Sequence, residues 1–435
     1  MSMQPLPYHE VISRHLEENE PGLWSWFRSD KFSTRYIETA KLELLKTTYR
    51  LPEQEHESIY ATANTARQRL DIDLPLTIYQ AQGTSSSVNA ALVFFEDELS
   101  LVLDGNILEL LNDEELLALF GHELAHHKLF SMQQGYLFSS ARLLDWCCNQ
   151  PDCHPAYFET YRLFQIYTEI FADMGALEVC ENLESSVSCL VKVSTGLKEV
   201  SALSYLSQAE EIIQQHNGGS EGVSHPEIFL RARVLELISK SDFLENDLNA
   251  SDLQKSETSE RNISNSETSE NESRKDVSNQ KDTLDQIRAL VECAVDVKQL
   301  DIPGQKCLAK VTREMIDVFT SEKFLRTEHS EMLAREYFPS FEWCAPVADT
   351  KPLEKQIALL SDNSKEYLCY VLLDFATVDA DGGDVDIAAS LIFSEHIGLF
   401  DRYEPVARKE LKRKKVEFAQ LKRHASQMIE KANND

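Results

Sequence analysis

Apolar residues recur at helical spacing along most of this chain. Leu116, Leu117, Leu119, Phe120 and Leu124 form one apolar run, and Asn112-Asp113-Glu114-Glu115 precedes it. That prefix reads as an N-cap followed by an acidic first turn, with Glu115 at the capping-box position. A buried helix is therefore predicted to start beside Asp113. A second one runs through Phe164, Ile166, Ile170, Phe171, Ala172, Met174 and Leu177. The stretch Leu129 to Trp146 is broken by Gln133, Gln134, Ser139, Ser140, Arg142 and Asp145. It reads as an amphipathic surface or core helix, because a bilayer span needs ~20 apolar residues in succession. Further helices are predicted at Leu284–Leu300, Lys306–Thr320, Ser330–Tyr337, Lys351–Leu360, Lys365–Val378, Val385–Ile397 and Pro405–Lys431, which together make an all-α domain.

Between Leu244 and Thr283 the pattern stops. Ser, Glu, Asn, Asp and Thr dominate, and Ser256-Glu257-Thr258-Ser259-Glu260 recurs as Ser266-Glu267-Thr268-Ser269-Glu270. Too few apolar residues remain to offset the entropy of ordering, so a disordered acidic linker is predicted. The chain thus divides into residues 1–243, a linker 244–283, and a helical domain 284–435.

The formal net charge of −30 argues against nucleic acid as a partner and against anionic membranes. Met1 to Glu20 shows no apolar signal core. Nine cysteines without regular spacing read as reduced thiols. The expected location is therefore cytoplasmic. Cys147, Cys148, Cys153 and His154 lie close together but fit no standard zinc spacing. Near the C-terminus Arg408, Lys409, Lys412, Arg413, Lys414, Lys415, Lys422 and Arg423 cluster on the expected last helix. They read as a solvated face, with an acidic protein partner or the acidic linker as the alternative.

The candidate chemistry lies in His122-Glu123-Leu124-Ala125-His126. Residues four apart share a helix face, so both imidazoles can hold one ion. Glu123 sits beside the first of them. Zinc lowers the pKa of a water it holds toward ~7, and Glu123 can take a proton from that water and pass it to a leaving amine. An accidental motif of this kind would often fall in a loop, whereas this one lies on the predicted buried helix. Burying two His and a Glu there is costly without a metal or partners.

Catalytic zinc usually keeps three protein ligands. Glu169 and Asp173 are four apart on the second helix and interrupt its apolar face. Glu169 can complete a His-His-Glu set, and Asp173 can accept the other ring N–H of a ligand His. A solvated acidic face is the alternative for both.

With these positions in place, residues 40 to 240 resemble the zinc metallopeptidase family that includes the CAAX prenyl endopeptidases, the bacterial heat-shock protease HtpX and the Oma-type mitochondrial proteases (metallopeptidase family forty-eight). Leu74 to Gln82 resembles its first core strand, Val88-Asn89-Ala90-Ala91 its V-N-A-x element, and Leu99 to Asp104 the strand flanking its cleft. Gly121 to His126 resembles its zinc helix, and Glu169-x-x-Ala172-Asp173 its third-ligand helix. Ser224-His225-Pro226 with Arg231 resembles its closing H-P-x-x-x-x-R element. The resemblance implies that Asn89 and the strand Leu99–Asp104 hold substrate as an added β-strand. It also implies that His225 stabilises the oxyanion or lies on the zinc in a resting state, and that Arg231 braces this loop. An ordinary loop histidine is the other reading of His225. Best-known members span membranes and this chain shows no such segment, so their substrates do not transfer.

Leu368 to Leu411 resembles the TerB-type helical fold, carried by Leu372-Leu373-Asp374-Phe375-Ala376-Thr377-Val378-Asp379-Ala380-Asp381-Gly382-Gly383-Asp384-Val385-Asp386. The acidic turn within it fails the EF-hand template: Asp384 stands where Gly is required and Ser390 where Glu is required. It reads as an Asp/Gly-rich interhelical turn.

The expected architecture is an α+β zincin-like metallopeptidase domain, mostly helical with a small sheet, followed by an all-α C-terminal domain. The expected activity is zinc-dependent endopeptidase action on an extended polypeptide, with one Zn2+ per chain held by His122, His126 and Glu169. Glu123 is the general base and acid, Asp173 orients a ligand, and His225 and Arg231 complete the site. The helical domain would select protein partners or cover the cleft. Two alternatives remain: a non-catalytic zinc-containing scaffold, and a latent protease closed by His225.

Overall fold

The computed structural model describes residues 3–82, 88–216, 228–241, 282–291, 300–343, 351–379 and 383–434. His225 lies outside them, as does the predicted linker except for its last two positions. Two compact units result, Met1–Cys293 and Ala294–Asp435.

In the first unit, α1 (Pro7–Asn19), α2 (Pro21–Phe27) and α3 (Asp30–Thr47) lead into β1 (Thr48–Arg50). Next come α4 (Glu57–Arg69), β2 (Leu76–Ala81), β3 (Asn89–Phe94) and β4 (Leu99–Asp104). The four-stranded sheet has the order β1-β2-β4-β3. β2 and β4 run parallel, and the outer strands are antiparallel to their neighbours. Ile78, Leu99, Leu101 and Leu103 are wholly buried on the inner strands. This order corrects one expectation from the resemblance. Leu99–Asp104 has both edges taken, by β2 and β3, so no further strand can pair with it. The strand at that edge of the sheet is β3, from Asn89 to Phe94, with β1 at the opposite edge.

Beyond the sheet, α5 (Ile107–Leu110) precedes α6 (Asp113–Ser131). The start of α6 is fixed as its residues predict. The Asn112 side chain accepts from the Glu115 amide at 2.9 Å, and the Glu115 carboxylate accepts from the Asn112 amide at 2.9 Å. The same carboxylate takes the Lys192 ammonium at 2.8 Å in a buried ion pair, which ties α6 to α9 (Leu183–Thr195).

Leu129 to Trp146 is not one helix. Gln133, Gln134 and Gly135 take φ values of 50°, 59° and 77°, a left-handed run that no helix accommodates. The chain reverses there and continues as α7 (Tyr136–Cys148). α8 (Pro155–Cys180) follows, opened by Pro155 at its first turn. α10 (Ala202–His216) and α11 (Ile228–Lys240) pack beside α9. Residues 282–291 form a helix, α12, that buries Thr283, Ile287 and Val291 at a spacing of four. Ile287 and Val291 join the hydrophobic core of this first unit, although the sequence pattern groups them with the helices that follow.

The second unit is helical throughout its described residues: α13 (Ile302–Phe319), α14 (Glu328–Tyr337), α15 (Lys351–Ala358), α16 (Asp362–Thr377), α17 (Gly383–His396), α18 (Phe400–Leu411) and α19 (Lys415–Asn434). The single last helix expected from Pro405 is two helices. Pro405 lies inside α18, and Lys412, at φ 53°, ends it in the left-handed region. In the acidic turn, Asp379 accepts from the Thr327 hydroxyl and lies 2.6 Å from His329 Nδ1. Asp384 pairs with Arg413 at 2.5 Å. The intervening residues 380–382 are outside the described set.

α6 and α8 cross in close contact. Gly121 faces Gly175, and a methyl group on Gly121 would lie 2.8 Å from both the Gly175 carbonyl oxygen and Val179 Cβ. One on Gly175 would lie 3.0 Å from the Gly121 carbonyl oxygen and collide with Ala125 Cβ. Phe120, Leu124, Phe164 and Phe171 are fully buried around this contact. Gly121→Ala and Gly175→Ala should each destabilise the first unit by about 1–3 kcal/mol through overpacking. Gly22→Ala, in α2 with nothing within 4 Å of its Cβ position, should leave stability unchanged or raise it by up to about 1 kcal/mol. Denaturant unfolding midpoints of the three variants check both signs.

Candidate metal centre and cleft

α6 contributes His122, Glu123 and His126 on its side facing the sheet edge and α8. The glycine crossing brings Glu169, a turn and a half before Gly175 on α8, up to both rings. His122 Nε2 and His126 Nε2 lie 3.3 Å apart, and the Glu169 carboxylate oxygens lie 3.6 and 3.7 Å from them. Among the described residues, these three form the cluster of side chains able to hold a metal ion. Donors at ~2.0–2.1 Å from a tetrahedral zinc stand about 3.3–3.4 Å from one another. The two imidazole nitrogens stand at that spacing, each has a different Glu169 oxygen a few tenths of an ångström further off, and a His-His-carboxylate donor set suits zinc.

Asp173, one turn after Glu169, receives the other side of the His122 ring, with Nδ1 3.0 Å from Oδ1. An Nδ1–H donated to this carboxylate leaves Nε2 as the lone pair facing the cluster. Arg231, delivered by the first turn of α11, donates Nε to Asp173 Oδ2 at 2.7 Å and Nη2 to Oδ1 at 2.6 Å. Its Nη1 lies 3.0 Å from Glu169 Oε2. One guanidinium thus bridges two carboxylates.

Burial and these charges set the protonation states. Burial pushes the Asp173 carboxyl up, but the Arg231 charge and hydrogen bonds, with His122, outweigh it and hold the group well below the usual carboxylate range. Glu169 is likewise lowered, with burial opposed by Arg231, His126 and His122. Burial lowers His126 to about 4, which keeps it neutral. For His122, burial lowers and the Asp173 hydrogen bond and charge raise, with a net upward shift. Glu123 is pushed up to about 6, chiefly by burial and against the attraction of His122. It also accepts a hydrogen bond from the Leu92 backbone on the edge strand. Glu123 stands apart from the other carboxylates as the one shifted toward neutral pH, which is the direction a proton carrier needs.

A cleft of about 700 Å3 runs over this cluster. β3 forms one border, including exposed Asn89. α7 and α8 wall one half, and α9 with α11 wall the other. The described site residues His122, Glu123, His126, Glu169, Asp173, Arg231 and Asn89 all face this one cleft. The neighbouring thiols do not build a comparable cluster. His154 caps α8, its Nδ1 accepting from the Ala156 amide at 3.2 Å, and Cys147, Cys148 and Cys153 are free.

Two features escaped the sequence reading. Gly121 and Gly175 each sit inside an apolar helix, where an isolated glycine usually marks a close packing contact. The Phe130 ring, which stacks beside His126 at 6.4 Å between centroids, carried no signal beyond its place in the apolar run. Asp173→Asn should lower zinc affinity by roughly 10–100-fold and leave Arg231 with one buried carboxylate partner fewer. Competition with a chromophoric chelator measures the change.

Residues 53–144 match the family model described as Peptidase family M48. No curated protein and no solved structure matches the chain. The matched segment spans three of the four strands (β2, β3 and β4), α6 and most of α7, and so holds His122, Glu123 and His126, while Glu169, Asp173 and Arg231 lie beyond it. No helix among the described residues is long and apolar enough to cross a membrane. The match of residues 53–144 supports peptidase family M48, a family of zinc-dependent peptidases, for this segment, and the metal-competent cluster takes two of its three side chains from the helix within it.

Proposed function

We propose that the chain is a zinc-dependent endopeptidase acting on extended polypeptide segments. The observation that carries this reading is the coincidence of a metal-competent His122–His126–Glu169 cluster with a buried carboxylate, Glu123, under an edge strand that borders an open cleft. Zinc, when held by these three residues, supplies Lewis acidity to a carbonyl and acidifies water.

The chain's own residues supply the rest. The unpaired edge of β3 offers backbone donors and acceptors on which a substrate can lie as an added strand. Asn89, at the start of β3, extends that edge with a side-chain amide. Glu123 takes a proton from water and delivers it to the leaving amine. Its upward-shifted pKa suits both halves of that task. Asp173 fixes the His122 tautomer, and Arg231 keeps Asp173 and Glu169 ionised and in place. Arg231 therefore serves as a positioning residue in this scheme. His225, six residues before Arg231 in the sequence, is assigned the oxyanion. No covalent intermediate with the protein arises, since water is the nucleophile.

A scaffold holding structural zinc has no use for Glu123 at this position, which favours the peptidase. Zinc-loaded full-length chain should cleave an unfolded protein such as casein, 1,10-phenanthroline should abolish cleavage, and Glu123→Gln should lower it by at least about a thousandfold, as loss of a general base and its proton delivery implies. Persistence of activity in the Glu123→Gln variant would contradict the scheme.

A further inference from the structure

The two halves of the cleft differ in chemistry. In one half, α9 presents Cys189, Leu190 and Val193 beside two serines and contributes no charged side chain to the lining. The α7 half starts as aromatic surface. Phe138 lies 4.5 Å from Phe94 and 5.8 Å from Phe130 between ring centroids, and Tyr36 meets its edge at 5.3 Å. Phe130 in turn stacks beside His126, so this aromatic surface begins at the metal cluster.

Its far end is polar. Arg142, one turn beyond Phe138 on α7, sits 5.7 Å from the Tyr36 ring centroid. Its Nε is buried and has no hydrogen-bond partner among the described residues. Its Nη1 stands 3.7 Å from Asp145 Oδ2, beyond hydrogen-bond range. Asp145 Oδ1 accepts from the Tyr161 hydroxyl at 3.3 Å. Tyr161 lies eight residues before Glu169, about 12 Å along α8. Of the two arginines lining the cleft, Arg231 is committed to Asp173 and Glu169, while Arg142 keeps a donor to offer.

We propose that the α7 half of the cleft is a subsite for a tyrosine side chain of the bound polypeptide, selected by Arg142; the proposal rests on the peptidase reading of the site. An incoming ring gains edge and face contacts with Phe130, Phe138 and Tyr36, and the Arg142 guanidinium adds a cation–π contact. A hydroxyl at the ring's tip accepts from the guanidinium of Arg142, whose side chain is 40% exposed, and can donate toward Asp145 Oδ2. Phenylalanine fills the same space but covers the exposed guanidinium without offering it an acceptor, which costs free energy. Leucine forfeits the ring contacts. Glutamate meets the charge of Asp145.

The test uses zinc-loaded full-length Glu123→Gln protein, which should bind without cutting. Fluorescein-labelled alanine-rich peptides carry Tyr, Phe, Leu or Glu at each position in turn, and binding is read by anisotropy. At one position tyrosine should bind at least about tenfold more tightly than leucine and about fivefold more tightly than phenylalanine. Arg142→Met should erase the tyrosine-over-phenylalanine preference and keep phenylalanine over leucine. Phe138→Leu should weaken both aromatic peptides. The residue scan decides the matter even where a variant fails to fold. Equal binding of tyrosine and phenylalanine everywhere, a preference for glutamate, or no peptide binding would overturn the subsite. Wild-type cleavage of the same peptides separates the two ideas. Tyrosine-selective binding without cleavage refutes the peptidase and leaves the subsite, whereas cleavage indifferent to tyrosine does the reverse.

Discussion

The crossing of α6 and α8 at Gly121 and Gly175 governs this site. Two helices whose facing residues lack side chains approach until one backbone touches the other, with Ala125 and Val179 closing the seam. That approach carries Glu169 within 3.6–3.7 Å of two imidazole nitrogens that already stand 3.3 Å apart on α6. It also sets Asp173 against the back of His122. Any side chain larger than hydrogen at the seam would have to be absorbed by shifting one helix, and a displacement of an ångström is large compared with the tolerance of a three-donor cage.

Electrostatics completes what packing begins. Four ionisable side chains, Glu123, Glu169, Asp173 and Arg231, crowd one partly buried region. Left to burial alone, each carboxylate would move toward the neutral form. Arg231 reverses that for Asp173 and Glu169, with which it makes direct contact. For Glu123 burial still dominates, despite weaker attraction from the same arginine. The result is a contrast among like groups: two carboxylates held ionised beside the rings and one, Glu123, shifted toward neutral pH. The net charge of −30 has little bearing on this arrangement, because the local geometry of one guanidinium decides it.

Much of this was legible from the residues. Asn112 and Glu115 announced the start of α6, and the capping box formed as expected. Spacings of four placed His122 with His126 and Glu169 with Asp173, because helical periodicity translates directly into a shared face. The strand bounds followed the resemblance closely, with β4 at Leu99–Asp104. What the pattern does not encode is adjacency. Strand order depends on which edges meet in space, so Leu99–Asp104 was taken as the cleft strand although β3 holds that place. Likewise the break at Gln133-Gln134-Gly135 rests on backbone conformations that glutamine rarely adopts. Pro405 pointed to a helix start, whereas tertiary packing carries α18 through it. The helical spacing of Ile287 and Val291 showed a helix but not which core it would join.

The central claim is that α6 and α8 together form one zinc site from two imidazoles and a carboxylate. Zinc K-edge X-ray absorption on the purified full-length chain, with metal content measured alongside, tests it most directly. The account predicts one zinc per chain in a first shell of nitrogen and oxygen at ~2.0–2.1 Å, with the metal lost on Glu169→Ala. Sulfur scatterers near ~2.3 Å, or zinc retained undiminished by Glu169→Ala, would contradict it.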